Sequence, residues 1–299
     1  MGPGIALTFA LGGLSVTVLS RTAGGADEAI RKARSLAGVL GANGLITPDE
    51  ADHAVELLTG SSHFESVVGA AGLVVESTPE SLAFKQELFQ RLDRLAPQDA
   101  VLASNTSGLS ITAIAARCTR PERVLTMHFW NPAHLIPLVE IVQGDRTSVE
   151  VVERVRLFLV QCGKIPVVVR KDRPGQLGNR LQMALMREAV HIVGEGIASA
   201  EDVDSVSRNG LGIRMPAYGT LEHMDITGVD LGASVMDYVT PDLYNDARAP
   251  ESVREMVRRG DLGAKTGKGF YDWSVKNADS VRAERDAFVI EVLRYRRRR

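Results

Sequence analysis

Cysteine, aromatic residues and long uninterrupted hydrophobic runs are all scarce in this sequence. Only Cys118 and Cys162 occur. Two thiols without close spacing make neither a disulfide framework nor a metal site, so both read as buried free thiols in a reducing compartment. His53, His63, His191 and His223 also lack ligand spacing, and no metal is expected. The first stretch, 1–20, has no charged side chain. It also has no basic lead, and Gly12-Gly13 interrupts its apolar run after about ten residues, so neither a signal peptide nor a membrane span is expected. The chain is expected to be soluble and cytoplasmic, with no membrane partner. Neither charge sign prevails: 35 Lys and Arg face 37 Asp and Glu, net −2. Five of the arginines crowd into 294–299, read as a solvated, frayed end. The body without them is acidic and a poor nucleic-acid surface. What remains is ordinary globular composition over 299 residues, 44% hydrophobic and 24% charged, enough for two domains with cores of their own.

Strand and helix signals alternate along the first part. Helices are expected over 3–11, 26–40, 49–58, 81–95 and 148–159, the third opened by the capping-box pattern Thr47-Pro48-Asp49-Glu50. Apolar, β-branched strands are expected at 14–19, 73–75, 101–103, 124–127, 138–142 and 167–169. That alternation predicts a doubly wound parallel α/β sheet, Rossmann-like. Beyond Asp172-Arg173-Pro174-Gly175 the periodicity becomes helical, with loops at 210–216 and 263–269. The expected domains are therefore 1–173, α/β, and 174–299, all-helical.

The opening Met1-Gly2-Pro3-Gly4 sits directly on a helix N-terminus and is followed by a strand. This is the second half of a dinucleotide-binding βαβ unit. Gly2 fits the third glycine of G-x-G-x-x-G, and the first strand and first two glycines are missing. Two strands should then lack ladder partners. Either the product starts roughly 10–20 residues upstream, about one strand and its turn, or the chain is a shortened one.

Five ordered blocks carry a family resemblance: Ser104-Asn105-Thr106-Ser107, His128-Phe129-Trp130-Asn131-Pro132, Leu138-Val139-Glu140, Asp172-Arg173-Pro174-Gly175 with Asn179-Arg180, and the stretch 262–271. Over essentially its whole length the chain resembles the L-3-hydroxyacyl-CoA dehydrogenase family of fatty acid metabolism. The resemblance implies NAD or NADP as cofactor, a small-molecule acyl-CoA or hydroxy-acid substrate and a homodimer built on the helical domain. It implies His128 as catalytic base, Glu140 as its carboxylate, Ser107 and Asn179 on the substrate, and Glu80, Lys85, Asn131 and Ser107 near the nicotinamide. The residue types suit the chemistry. Imidazole titrates near neutrality, a carboxylate fixes its tautomer, and neutral donors can hold the reacting oxygen. Alone, each has a plainer reading: a structural histidine, a surface carboxylate, turn and helix-cap residues, a solvated helix lysine. His134 reads as loop surface or pocket wall.

The sequence also departs from the family pattern. Strand 14–19 ends in Ser20-Arg21-Thr22, where the family usually has an aspartate. Loss of that charge and gain of a cation make NADP tolerated or preferred, unless Arg21 points to solvent. The helical region 26–58 holds a single lysine, Lys32, which puts CoA binding in doubt. Gly210 to Arg214 and Gly219 to Glu222 instead resemble branches related to lambda-crystallin and to small hydroxy-acid dehydrogenases. Arg214 pairs there either with a substrate carboxylate or within its loop. The expected activity is 3-hydroxyacyl-CoA oxidation to the 3-ketoacyl-CoA. The alternatives are a non-CoA hydroxy acid or alcohol, and a catalytically silent remnant.

Overall fold

A computed structural model describes residues 1–298. Its first unit comprises Met1–Arg180 and the chain from Val289 onward; its second is Leu181–Phe288. The division into compact units falls at 180, seven residues past the expected boundary at 173, where Gln176, Leu177, Gly178 and Asn179 bond to Thr106, Glu140 and Ser107 of the first unit. Asp172 Oδ2 accepts from Ser110 Oγ at 2.5 Å and from the Thr112 N–H at 2.9 Å.

The first unit runs α1 (Gly2–Leu11), β1 (Val16–Leu19), α2 (Ala23–Ala42), α3 (Pro48–Glu56), β2 (Leu58–Ser61), α4 (Phe64–Gly69), β3 (Leu73–Glu76), α5 (Leu82–Leu95), β4 (Val101–Ser104), α6 (Ile111–Ile114), β5 (Val124–Phe129), β6 (Leu138–Gln143), α7 (Val149–Gln161) and β7 (Ile165–Val169). It is a Rossmann-like α/β unit, but its strands form two sheets. β1 and β2 pair in parallel; β3-β4-β5-β6-β7 form the other. Among the described residues β1 and β3 each have a ladder on one side only. β6 departs from the all-parallel expectation and runs antiparallel to β5. The connection 130–137 contains no helix and is too short for a crossover, so the chain turns back on itself.

Helix α1 is apolar all round and correspondingly buried from Gly4 to Ala10. Ile5 and Phe9 join β5, β6 and α7 in one core cluster, with Phe9 edge-on to Phe129 at 5.8 Å. Ala6, Leu7 and Ala10 face α2, α3 and β2 in another. The capping box on α3 forms as the sequence predicts: Thr47 Oγ1 accepts from the Glu50 N–H at 3.2 Å, and Glu50 Oε2 accepts from the Thr47 N–H at 2.7 Å.

The second unit contains most of α8 (Gly178–Gly194), then α9 (Ala200–Val206), α10 (Thr220–Thr227), α11 (Val229–Val239), α12 (Glu251–Arg259) and the start of α13 (Ala278–Arg297). Residues 207–212 form a π-helical turn rather than the expected loop, where Arg214 Nε donates to the Gly210 carbonyl at 3.0 Å. Of the arginine-rich end, residues 294–297 continue α13 instead of fraying as expected, and Arg299 lies outside the described residues. Ile290 is buried in the second cluster, and Arg294 donates to the Asn43 carbonyl from Nε at 2.9 Å. No helix among the described residues is long and apolar enough to cross a membrane.

Candidate active site

The site grows from the carboxyl ends of three neighbouring strands. Each carries a polar side chain near its end: Glu76 on β3 and Ser104 on β4 after apolar runs, and His128 on β5, where Thr126 precedes it. Open α/β sheets present their ligand-binding loops at this rim. The register sets His128 directly opposite Glu140 on antiparallel β6. Opposed residues share a face of the sheet, and His128 Nδ1 lies 2.8 Å from Glu140 Oε2. Both side chains are buried, at 7% and 1% exposure.

Glu140 is surrounded by donors. The Trp130 indole N–H donates to Oε2 at 3.0 Å, and the peptide N–H groups of Leu177 and Gly178 donate to Oε1 at 3.0 and 2.8 Å. The last two belong to the N-terminal end of α8, where helix polarity favours an anion. A Cβ at Gly178 would overlap the Trp130 ring, so glycine lets the helix start approach the carboxylate. Burial pushes against the charge, yet hydrogen bonds from His128, Gly178, Trp130 and Leu177 bring the carboxyl from 4.5 down to about 2. An ionised Glu140 accepts, so Nδ1 is the donor, and in the neutral ring the lone pair falls on Nε2.

A depressed carboxyl binds its proton less readily in the folded chain than in the unfolded one. Its stabilisation, roughly 3 kcal/mol, is therefore complete above pH 4.5 and lost as pH falls toward 2. Asp93, held near 2 by Thr119, Arg123 and Arg120 against its burial, adds to the same window. Glu140→Gln is expected to lower stability at neutral pH and to flatten its fall between pH 4.5 and 2. Urea unfolding across that range measures this; a variant curve parallel to the parent would refute it.

The Ser107 loop is the site's second part. Glu80 Oε1 accepts from Thr106 Oγ1 at 2.5 Å and from the N–H groups of Ser107 and Gly108 at 3.1 and 3.2 Å. Asn179 Nδ2 donates to the Ser107 carbonyl at 2.6 Å. The peptide of Ser107 is held on both sides while the residue stays exposed. Lys85 is not a solvated helix lysine. It is 1% exposed and bonds both oxygens of Glu76 at 2.7 and 2.8 Å. Asn131 is exposed at a cis bond to Pro132. Lys164, which sequence reasoning missed, anchors the β5–β6 connection by donating to the carbonyls of Ala133 and Ile136 at 2.7 and 3.1 Å.

Helix α1 starts without a side-chain cap, and the space at the Gly2 Cβ is open. An uncapped helix start suits phosphate oxygens. The close-packed glycine is Gly4, whose added Cβ would lie 3.3 Å from Ala133 Cβ. Ser20 is half-buried and Arg21 exposed at the end of β1. Arg214 lies in the second unit. Among the described residues no three His, Cys, Asp or Glu side chains cluster as metal ligands. Burial raises the Cys118 and Cys162 thiols to about 11.

This is a Rossmann-like unit followed by a helical one, with a buried imidazole–carboxylate contact at the sheet rim. The pattern described as "3-hydroxyacyl-CoA dehydrogenase, NAD binding domain" matches residues 1–173, and that described as "3-hydroxyacyl-CoA dehydrogenase, C-terminal domain" matches 175–273. The chain belongs to the 3-hydroxyacyl-CoA dehydrogenase family, an oxidoreductase family whose N-terminal domain binds NAD. It is 34% identical over 298 residues to 5-formyl-3-hydroxy-2-methylpyridine 4-carboxylate 5-dehydrogenase of Mesorhizobium japonicum, covering 98% of this chain and 94% of that one. A crystal structure of an enzyme of that name, described as an NAD+ dependent dismutase, superimposes with TM-score 0.91 at 32% identity, covering 99% of this chain and 94% of the other. (S)-3-hydroxybutyryl-CoA dehydrogenase from Ralstonia eutropha gives TM-score 0.75 at 32% identity, covering 91% and 95%.

Proposed function

We propose that this chain is an NAD(P)-dependent dehydrogenase in which His128 is the base and Glu140 the carboxylate that orients it. The supporting observation is the buried 2.8 Å contact between Nδ1 and Oε2. A bound nicotinamide would supply the hydride chemistry at the substrate carbon. His128 Nε2 takes the hydroxyl proton as the alcohol is oxidised and returns it in reduction. Glu140 balances the imidazolium formed. Ser107 donates to the substrate oxygen, and Asn179 holds the carbonyl of Ser107 in place. Asn131 and Glu80 would border the nicotinamide end of a bound cofactor, and Gly2, Ser20 and Arg21 would meet its phosphate and ribose end.

The substrate we infer is a compact alcohol or aldehyde that bears a carboxylate and no CoA, the class named for the Mesorhizobium relative. The higher TM-score with the enzyme of that name, 0.91 against 0.75, supports this. So does the single lysine between 26 and 58 to meet CoA phosphates. The second reading, 3-hydroxyacyl-CoA oxidation, rests on the descriptions of both matching domains. Steady-state assays with a formyl-pyridine carboxylate and with 3-hydroxybutyryl-CoA separate them. A kcat/KM about 100-fold higher for the pyridine is expected; the reverse order selects the acyl-CoA. Turnover with neither, and no cofactor-induced rise in Tm, would mean a silent remnant.

Ser20 and Arg21 replace repulsion of a 2′-phosphate by attraction. NADP is expected to support kcat/KM within about tenfold of NAD. A preference for NAD beyond about 100-fold would overturn this.

The assembly we infer is a homodimer formed through the second unit. No residue of helices α8 to α12 is buried. Leu221, Ile226, Tyr238 and Val275 are 75–87% exposed. That much apolar surface needs a cover. Sedimentation at micromolar concentration should give twice the 32.3 kDa chain mass; a monomer would refute it.

A further inference from the structure

Gln176 carries backbone strain and a buried orphan, and neither is used by the reading above. Its φ is +54°, and it is the only residue other than glycine with positive φ among the described residues. Glycine takes that conformation freely; a glutamine does not. The side chain is 4% exposed. Its Nε2 donates to the Thr106 carbonyl at 2.8 Å, and its Oε1 is buried without any partner. An unpaired buried acceptor destabilises the fold. Two unfavourable features therefore coincide on one residue.

What they accomplish is a connection. With Gly175, at φ +76°, Gln176 forms a left-handed turn, closed by its own N–H bonding to the Arg173 carbonyl at 3.0 Å. The next two peptide N–H groups, of Leu177 and Gly178, leave that turn pointing at Glu140 Oε1. From the same turn the Gln176 amide reaches the carbonyl just before Ser107, and Asn179 reaches the carbonyl of Ser107 itself. Glu80 holds the N–H groups of Ser107 and Gly108. One turn thus touches both the carboxylate behind His128 and the loop that presents Ser107.

We infer that Gln176 is a positioning residue: its amide fixes the Ser107 loop in register with the His128–Glu140 pair. The inference rests on the proposed role of Ser107. It requires that loss of the amide slow the reaction through Ser107 alone.

Gln176→Met is the test, because methionine matches the length and burial but offers neither donor nor orphan acceptor. Tm is expected to change little, since the unpaired oxygen is gone but the Thr106 carbonyl loses its donor. The kcat should fall roughly tenfold with the cofactor KM within about twofold. In a Ser107→Ala background the same change should add nothing, as for two residues acting through one contact. Hydrogen exchange at the Ser107 and Gly108 amides should quicken in Gln176→Met. A kcat within about twofold of the parent, additive losses, or unchanged exchange would each overturn the inference. Should Ser107→Ala itself leave kcat unchanged, the proposed role of Ser107 fails, and the exchange rates still decide whether Gln176 holds the loop. If the methionine variant does not fold, Gln176→Asn takes its place. Asparagine tolerates the left-handed turn, and its amide is one methylene too short for Thr106.

Discussion

Replacing His128 with alanine is expected to lower kcat/KM by about 10³-fold while leaving cofactor binding intact. Among the described residues at the rim, the imidazole is the buried group that can offer a lone pair beside a counter-charge, so its loss leaves proton transfer without its base. Glu140→Gln should cost about 100-fold. The neutral amide no longer balances the imidazolium, and its NH2 can donate to Nδ1, forcing the proton onto Nε2 where the lone pair is needed. The two losses should not add: with His128 absent, the carboxylate has no base to orient, and the double variant should match His128→Ala. Glu140 keeps three other donors in that variant, from Trp130, Leu177 and Gly178, so it stays ionised and the site keeps its shape. Steady-state kinetics with a cofactor-protection melt for each variant checks all of this. His128→Ala retaining a tenth of the parent kcat/KM would remove the imidazole from the reaction.

The alternation of strands and helices was readable because it depends on local periodicity. β2 was not. Leu58-Thr59-Gly60-Ser61 reads as the end of a helix and a turn, yet it pairs along β1. Gly60 packs there against α2, and a Cβ would lie 3.1 Å from Ala26 Cβ. That choice is made by tertiary packing, which no local signal reports. The direction of β6 was within reach, since the eight residues 130–137 cannot hold a crossover helix. In the site, the ordered motifs pointed to His128 and Glu140, and the structure brings the two side chains together. Glu76, Ser104 and Trp130 were passed over because each looks ordinary alone. A signal was present: Glu76 and Ser104 are the first polar residues after apolar strand runs, at the rim where ligands bind. Gln176 had none, because its strain and burial exist only once Thr106 and Glu140 converge on the turn. Lys85 is a different case: the resemblance put it near the nicotinamide and its plainer reading on a solvated helix face, and neither reports its burial against Glu76.

Lys85→Met is expected to destabilise the chain by about 3–5 kcal/mol, a Tm loss on the order of 10 °C. An ammonium has three protons to donate. Here two go to the oxygens of Glu76 and the third to the Thr78 carbonyl at 3.3 Å. Glu80 Oε2 stands 3.7 Å away, close enough to feel the charge. Removing the lysine leaves Glu76, itself 5% exposed, as a buried anion with only Thr78 and Ser104 hydroxyls and one peptide N–H for company. The second change Glu76→Gln should recover much of the loss, because a neutral amide tolerates burial and can still accept from Ser104. The same accounting bears on function. With every proton engaged by the protein, the cofactor KM of Lys85→Met should move by no more than about threefold. Thermal melts of both single variants and the double variant, alongside cofactor titrations, test the two statements together. A Tm unchanged with a cofactor KM raised about tenfold or more would instead make Lys85 a ligand of the nicotinamide end.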